Sequence, residues 1–307
     1  MTQVVRGIGQ TYTVATVIDR VQELGQLSLG FLPERTVPTG IMMCRPENYD
    51  VEYDINFHMT GNGDEVKRIL AQQQWKCLRR TLEQFCTVSS CVDAPGLPDM
   101  AFIANAGLTF SSHGRKQCIM SRMKHPQRSG EIPLYEAFVR GRGYEIFHLP
   151  DNVVFEGEGD ALWLPEAKLL WGGYGQRSER AAYEHISRMY DVPVIALELI
   201  DKRFYHLDTA FCPLDPYTAM YFPGAFAPAG QHLIEAIFPN RILLKDSEAM
   251  LFGCNAIVIG KRVIMPLVGR RLRYALHDSG YRVHAANMSE FIKAGGAAKC
   301  LVLEDYK

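Results

Sequence analysis

From Gly40 to the C-terminus, a short apolar strand, a loop, an amphipathic helix and another strand recur along this chain. That rhythm limits the available folds more than any other feature, because strand–loop–helix alternation belongs to α/β architecture. Ile41 to Cys44 reads as a strand and Asp64 to Cys86 as a helix, with Val66, Ile69, Leu70, Trp75, Leu78 and Leu82 at its apolar positions. Ala101 to Ala104 and Gln117 to Met120 read as strands around a turn at His113-Gly114, followed by a helix at Pro133 to Gly141 and a strand at Tyr144 to Leu149. Val153 to Phe155, Ala161 to Trp163 and Leu169 to Trp171 are short strands before a helix at Ser178 to Tyr190 and a strand at Val194 to Leu199. Tyr205 to Cys212 and Ala219 to Tyr221 are strands, then Gln231 to Phe238 a helix and Ile242 to Leu244 a strand. A hairpin at Gly260-Lys261 joins Ala256 to Ile259 with Arg262 to Pro266. A helix at Gly269 to Ser279, a strand at Tyr281 to Ala285, a short helix at Met288 to Lys293 and a strand at Lys299 to Leu303 complete the pattern.

About five such units without a linker predict one α/β domain over residues 40–307. Residues 1–39 form an N-terminal extension that ends around Pro33, Pro38 and Gly40, with Val17 to Leu27 as a short helix. Periodicity alone does not distinguish a layered sheet from a barrel or a propeller.

With 307 residues the chain can bury a large core. Its formal net charge of −1 gives no general attraction to nucleic acid or to an acidic membrane. Met1 to Thr13 lack a basic region followed by an apolar one, and no run approaches the roughly 20 apolar residues of a membrane-spanning helix. The expectation is a cytoplasmic protein, with self-association left open. Cysteines stand at 44, 77, 86, 91, 118, 212, 254 and 300, with no C-x-x-C pair. That spacing suggests neither a zinc site nor a disulfide framework, and the thiols read as mostly reduced and buried.

Four segments combine polar with small residues at strand edges: Ile103 to Gly107, Phe155 to Asp160, Phe204 to Thr209, and Gly295 to Leu301. In the last, Gly295-Gly296-Ala297-Ala298 lets backbone approach a ligand closely, and Cys300 follows at the head of an apolar strand. Lys299 beside it would favour a thiolate but on a strand points the other way. A buried core cysteine fits the spacing equally well. His206 and Asp208, two apart on a strand, share one face and could supply an acid/base and a cation-binding group, or be a surface pair. Glu156, Glu158 and Asp160 alternate with glycines in an anionic loop suited to a cation, or simply solvated. It lacks the pattern of a calcium loop. Gly172-Gly173-Tyr174-Gly175 lacks the G-x-G-x-x-G spacing of a dinucleotide site. Cys44, Cys212 and Cys254, like Trp75, Trp163 and Trp171, read as core.

Taken together, these segments resemble the guanidino-group-modifying enzymes of the pentein superfamily: arginine deiminases, dimethylarginine dimethylaminohydrolases and glycine amidinotransferases. The resemblance is strongest to the arginine dihydrolase branch, also called arginine-guanidine removing enzymes. It is carried by Cys44-Arg45-Pro46 with Tyr53 to Asn56, Ala104 to Gly107, Phe155 to Leu162, Gly173 to Gly175 with Arg177 to Glu179, Phe204 to Leu214, and Ala294 to Leu301. These matches span nearly all of the chain, from about Gly40 to Leu303.

The resemblance implies a five-bladed α/β propeller of ββαβ-type units with a central site. It implies Cys300 as nucleophile, His206 as general acid/base, and Glu156 and Asp208 as guanidinium-binding carboxylates. Asn105 falls where deiminases carry Asp and dihydrolases Asn, and Gly107 is a further substrate-binding position. Arg128 and Arg177 match arginines that hold the substrate α-carboxylate, and Asn56 a further pocket residue. The acidic loop is one residue longer than the E-G-G-D of deiminases; Glu156 is assigned to the substrate, with Glu158 as the alternative. The sequence stops after the last matched strand, without the cyclodeaminase-type domain of some relatives. The implied activity is hydrolysis of arginine through a thiouronium on cysteine to ornithine, carbon dioxide and ammonia, with no metal or organic cofactor. A deiminase, a methylated-arginine hydrolase, an amidinotransferase and a silent pentein binding module are the alternatives.

Overall fold

An antiparallel strand pair, a helix and a third strand parallel to the second recur five times around a closed ring. The computed structural model describes residues 5–7, 10–12, 16–27, 32–60 and 66–307. The second blade shows the unit most plainly. Gly107–Ser112 pairs antiparallel with Arg115–Met120, helix Glu131–Gly141 crosses over, and Glu145–His148 pairs parallel. Its hairpin turns at His113 and Gly114, both at positive φ, as a two-residue turn between twisted strands requires. The third blade has Ala161–Trp163, Leu170–Tyr174, helix Arg180–Tyr190 and Val194–Glu198, with Val17–Ile18 added alongside. The fourth has Phe211–Asp215, Thr218–Tyr221, helix Pro228–Ile237 and Asn240–Leu243. The fifth has Ile257–Ile259, Arg262–Pro266, helix Arg270–Asp278 and Arg282–Ala286. The first blade closes the ring by joining both ends of the domain: Leu303–Asp305 pairs antiparallel with Gly40–Arg45, which pairs parallel with Thr87–Val92 across helix Arg68–Leu82.

Each crossover helix is amphipathic. In Arg180–Tyr190 the residues Ala182, Tyr183, Ile186 and Tyr190 are buried at helical spacing, and Asp191 in left-handed conformation ends the helix. Apolar contacts run between neighbouring blades: Trp171 stacks on Phe238 across the third and fourth, and Met43, Trp75, Ile257 and Ile264 pack between the first and fifth. Arg35 of the N-terminal segment is buried against Glu304 and Tyr306. No helix among the described residues is long and apolar enough to cross a membrane.

Several expected strands are turns instead. Ala101 to Ala104 lies in 3-10 turns, Pro98–Ala101 and Ile103–Ala106, and the strand begins only at Gly107. Phe155 makes a single bridge to Arg122 where Val153 to Phe155 reads as a strand. Leu207–Ala210 is one helical turn, so His206 and Asp208 are not on one face of a strand. Lys299–Leu301 is also a 3-10 turn, with the strand starting at Leu303. These segments share one position, immediately before the inner strand of a blade. They are apolar because they crowd the propeller axis, and the crowding bends the backbone inward. Val17 to Leu27 is a strand, Val17–Ile18, and a 3-10 helix, Val21–Gln26. The first helix starts at Arg68; its expected start, residues 64 and 65, lies outside the described residues. Ile69 is 75% exposed, because the buried face runs through Ala71, Trp75, Leu78 and Leu82. Thr87–Val92, with two serines and little apolar alternation, is a strand that periodicity misses.

Candidate active site

The turn that precedes each inner strand delivers polar side chains to the axis, one group per blade. The second blade brings Asn105, the third Glu156 and Asp160, the fourth His206 and Asp208, the fifth Asn255 and the first Cys300. All are buried. Gly159 permits this crowding: a Cβ there would overlap Asn105 Nδ2 and press on the His206 ring at 3.3 Å.

Cys300 Sγ donates to Asp208 Oδ2 at 3.3 Å and accepts from Asn255 Nδ2 at 3.1 Å. Asn255 Oδ1 accepts the Cys300 N–H at 3.2 Å, so one amide clamps both the backbone and the sulfur of the same residue. Burial, and then the Asp208 charge, push the Cys300 thiol well above its ordinary value, and the free protein holds it as S–H. Burial likewise pushes the Asp208 carboxyl up, against His206 and Lys299. Asp208 Oδ1 is buried with no hydrogen-bond partner.

His206 Nε2 donates to Glu156 Oε2 at 2.7 Å, which fixes the Nε2–H tautomer. The same oxygen accepts from Arg177 Nη1 at 3.2 Å, while Oε1 accepts the Lys124 N–H at 2.9 Å. Burial alone would raise the Glu156 carboxyl; Arg177 and the His206 hydrogen bond outweigh it and hold the group well below the usual carboxylate range. Asp160 accepts from Ser178 Oγ at 2.7 Å and from the Leu207 N–H at 3.1 Å, so it orients the turn that carries His206. Its own carboxyl is pushed up to about 6 by burial, opposed by His206.

Arg128 binds Glu131 bidentately, Nε and Nη2 each at 2.9 Å, and its Nη1 donates to Asn105 Oδ1 at 2.9 Å. A guanidinium only donates, so this bond fixes the Asn105 amide with Nδ2 turned toward the Glu156 carbonyl, 3.0 Å away, and His206 Nε2, 3.5 Å away. Arg177 Nη2 donates to the Ile55 carbonyl at 2.9 Å, and the guanidinium lies 4.6 Å over the Tyr205 ring. Asn56 donates to the Ala294 carbonyl at 3.1 Å and accepts the His58 and Met59 N–H groups. Gly295, at φ +85°, lets Tyr205 and Asn56 close over this wall.

Ile55, Asn56, Asp99, Asn105, Arg128, Arg177, Tyr205, His206 and Cys300 thus line a single cavity of about 10 Å³. That is room for about one water molecule. Gly107 does not reach it. Its backbone is packed so tightly that a Cβ would sit 2.5 Å from the Ile119 carbonyl. Glu158 faces the other way, bonding Thr109 Oγ1 at 2.7 Å and Lys299 Nζ at 3.1 Å. Lys299 does point away from the sulfur, onto this carboxylate. Asp99, Ser178, Tyr205 and Asn255 are residues around the site that sequence reasoning does not single out, and Asp160, read there only as part of the acidic loop, reaches the axis. Asn255 was findable as the fifth blade's counterpart of Asn105, just before an inner strand.

No family model matches the chain. It is 42% identical over 265 residues to the bifunctional arginine dihydrolase/ornithine cyclodeaminase ArgZ of Synechocystis, covering 86% of this chain and 37% of that protein. The chain therefore spans little more than a third of that relative's length. It is 36% identical to the N(G),N(G)-dimethylarginine dimethylaminohydrolase of Mycobacterium tuberculosis over 85% of this chain and 84% of that one. The substrate-bound N-terminal domain of ArgZ superposes with TM-score 0.84 at 41% identity, covering 87% of this chain and 98% of that domain. The same domain covalently bound to a reaction intermediate gives 0.83, again at 41% identity, over 86% and 97%. A five-bladed ring with these polar turns at its axis, and this identity over 84% of the mycobacterial relative and 98% of the ArgZ domain, make the chain a member of the pentein superfamily of guanidino-group-modifying enzymes, alongside arginine dihydrolase and dimethylarginine dimethylaminohydrolase.

Proposed function

We propose that this chain hydrolyses the guanidino group of L-arginine twice, giving ornithine, carbon dioxide and two molecules of ammonia through a covalent bond to Cys300. One observation carries the reading: a buried thiol bonded to Asp208 shares a small cavity with His206, whose tautomer Glu156 fixes. In this reading the catalytic unit is residues 40–307 and residues 1–39 are an extension. Eight free thiols suit a reducing compartment, the cytoplasm.

Guanidinium is a resonance-stabilised cation and a poor electrophile, so the site must hold it and supply a strong nucleophile. Asp208 Oδ1 is an unfilled acceptor for a guanidinium N–H, and Glu156 is a second carboxylate kept ionised. Burial first and then the Asp208 charge hold Cys300 as a thiol; a cation bound there offsets the Asp208 charge and favours the thiolate. The thiolate attacks the central carbon, and His206 protonates the departing amine as the C–N bond breaks. His206 then takes a proton from the water that attacks the thiouronium carbon, and breaking the C–S bond expels the Cys300 thiolate and releases citrulline. Arg177, and the remaining Nη1 hydrogen of Arg128, are donors for the α-carboxylate, with Asn56 on the wall between.

Citrulline is neutral, and its second hydrolysis needs a pocket that can donate to a ureido oxygen. The Asn105 amide, turned by Arg128, presents its NH2 to the site; an aspartate could not. The test is purified protein with arginine, scored for citrulline, ornithine and ammonia, with Cys300→Ser as the inactive control. Turnover that stops at citrulline sinks the dihydrolase reading. Inert arginine with active Nω-methylated arginine favours the second relative's chemistry.

A further inference from the structure

An arginine of the protein itself sits on the carboxylate that a substrate guanidinium needs. Arg177 Nη1 lies 3.2 Å from Glu156 Oε2, with side chains 3% and 0% exposed. Its other terminal nitrogen holds the Ile55 carbonyl of the covering loop, and the remaining cavity of about 10 Å³ is too small for a guanidinium.

We propose that Arg177 is a gate: it closes the pocket as an internal guanidinium on Glu156 and is released by the α-carboxylate of the substrate. The site therefore selects guanidines that carry that carboxylate. This rests on the arginine-hydrolase reading above and adds how the substrate is chosen.

Arg177 and the substrate's reacting group have the same chemistry, so they compete for one oxygen. Arg177 is tethered and has an effective concentration in the millimolar range or above. A guanidine without a carboxylate can take Glu156 only by breaking the buried Arg177–Glu156 ion pair, which is strongly unfavourable. An α-amino acid substrate removes that obstacle. Its carboxylate takes Arg177 while its guanidinium takes Glu156, so one ion pair becomes two. Moving Arg177 also frees the Ile55 carbonyl, leaving the loop held at Asn56 on the Ala294 carbonyl. Carboxylate recognition, release of Glu156 and opening of the pocket are then one event.

The experiment compares kcat/KM for arginine and for agmatine, which is arginine without its α-carboxylate, in the wild type and in Arg177→Gln. The wild type should prefer arginine by about 10³-fold. In Arg177→Gln arginine should fall by about 10²-fold or more and agmatine should rise by about tenfold. An Arg177 that merely binds carboxylate gives the loss on arginine with agmatine unchanged or lower, and that result overturns the gate. A second measurement needs no variant: acetate, supplying the carboxylate separately, should raise agmatine turnover by the wild type several-fold and saturably, with chloride at equal ionic strength as control. No acetate effect overturns the gate even if Arg177→Gln fails to fold. Wild type that leaves arginine untouched removes the hydrolase reading and the gate together; arginine turnover without either agmatine effect removes the gate alone.

Discussion

Replacing Asn255 by alanine should raise the pH at which Cys300 becomes reactive. The amide donates to Sγ at 3.1 Å, and its oxygen accepts the Cys300 N–H at 3.2 Å. A hydrogen bond to a charged group contributes about 1.5–3 kcal/mol. Losing one donor to the thiolate should then raise the thiol pKa in the substrate complex by about 1–2 units. An acid whose charged form loses a donor titrates later, so the acid limb of the kcat profile moves to higher pH. Below that limb the rate falls about 10–100-fold. Above it the rate recovers. The same variant leaves the Cys300 N–H and the Asp208 carbonyl, which Asn255 contacts at 3.3 Å, without their partner, at about 1–3 kcal/mol each. Asn255→Asp separates the two effects. It keeps an acceptor for the N–H but puts a second carboxylate beside the sulfur, so it should melt nearer the wild type and shift the limb further. The assays are kcat against pH, the pH dependence of Cys300 alkylation by iodoacetamide, and thermal melting. A lowered rate with an unmoved acid limb would refute the thiolate argument and leave Asn255 a purely structural clamp.

Glu156→Gln should cost about 3–5 kcal/mol at pH 7, because Arg177 loses a buried partner. The folded carboxyl lies below its unfolded value of about 4.3, so the stabilisation is present above that pH and is lost as pH falls; urea melts at pH 7 and pH 3 should show the gap shrinking, and an equal gap sinks the idea. Lys299→Met and Glu158→Gln should each destabilise by about 3–5 kcal/mol, and the double variant by less than their sum, as a double-mutant cycle of unfolding free energies will read. Asn105→Asp should lower the ornithine-to-citrulline ratio at least about tenfold by chromatography, since the site loses its amide donor. Citrulline brings no cation, so its turnover needs a proton retained among the raised carboxyls. Its kcat/KM should fall as pH rises past about 6, the Asp160 value, while that for arginine does not; parallel profiles contradict this.

The helices and outer strands were legible because each hides one apolar face, a pattern that periodicity detects. The axis was not. Ile103, Ala104, Phe155, Leu207 and Leu301 look like strand residues, yet they are buried in or beside turns that aim Asn105, Glu156, His206 and Cys300 inward. Apolar character there reports crowding at the hub, and short apolar runs do not separate that from pairing in a sheet. The polar residues at the axis were still visible, because polar residues among small ones stand out whatever the local backbone. Asn255 escaped for the opposite reason: between Cys254 and Ala256 it is one polar residue in an apolar run, and its role depends on a sulfur 45 positions away. The resemblance already favours Glu156 over Glu158, and the geometry adds where each one points. Both sit in one acidic loop, and only the turn Gly157–Gly159 sends one to His206 and the other to Lys299.

The charges at the axis do not balance, and the imbalance points to the ligand. Asp99, Glu131, Glu156, Asp160 and Asp208 are buried there against Arg128 and Arg177, with Lys299 acting on Asp208 from its pair with Glu158. Arg128 is matched to Glu131 and Arg177 to Glu156. That leaves Asp99, Asp160 and Asp208, and on two of them a buried oxygen, Asp99 Oδ1 and Asp208 Oδ1, has no hydrogen-bond partner. Burying a carboxyl is costly, and burial pushes all three up, although Asp99 accepts from Tyr53 and lies 3.8 Å from Arg128, Asp160 accepts from Ser178 and Leu207, and Asp208 accepts from Cys300. A protein under no demand but stability would fill such positions with apolar groups. Here the deficit lies against the one cysteine whose sulfur bonds a carboxylate. A ligand that supplies a flat, multiply donating cation would relieve the unpaired oxygens and, by the same field, lower the barrier to forming the thiolate. Guanidinium has that shape and that charge, so the cost of burying these carboxyls and the activation of the thiol have a single origin.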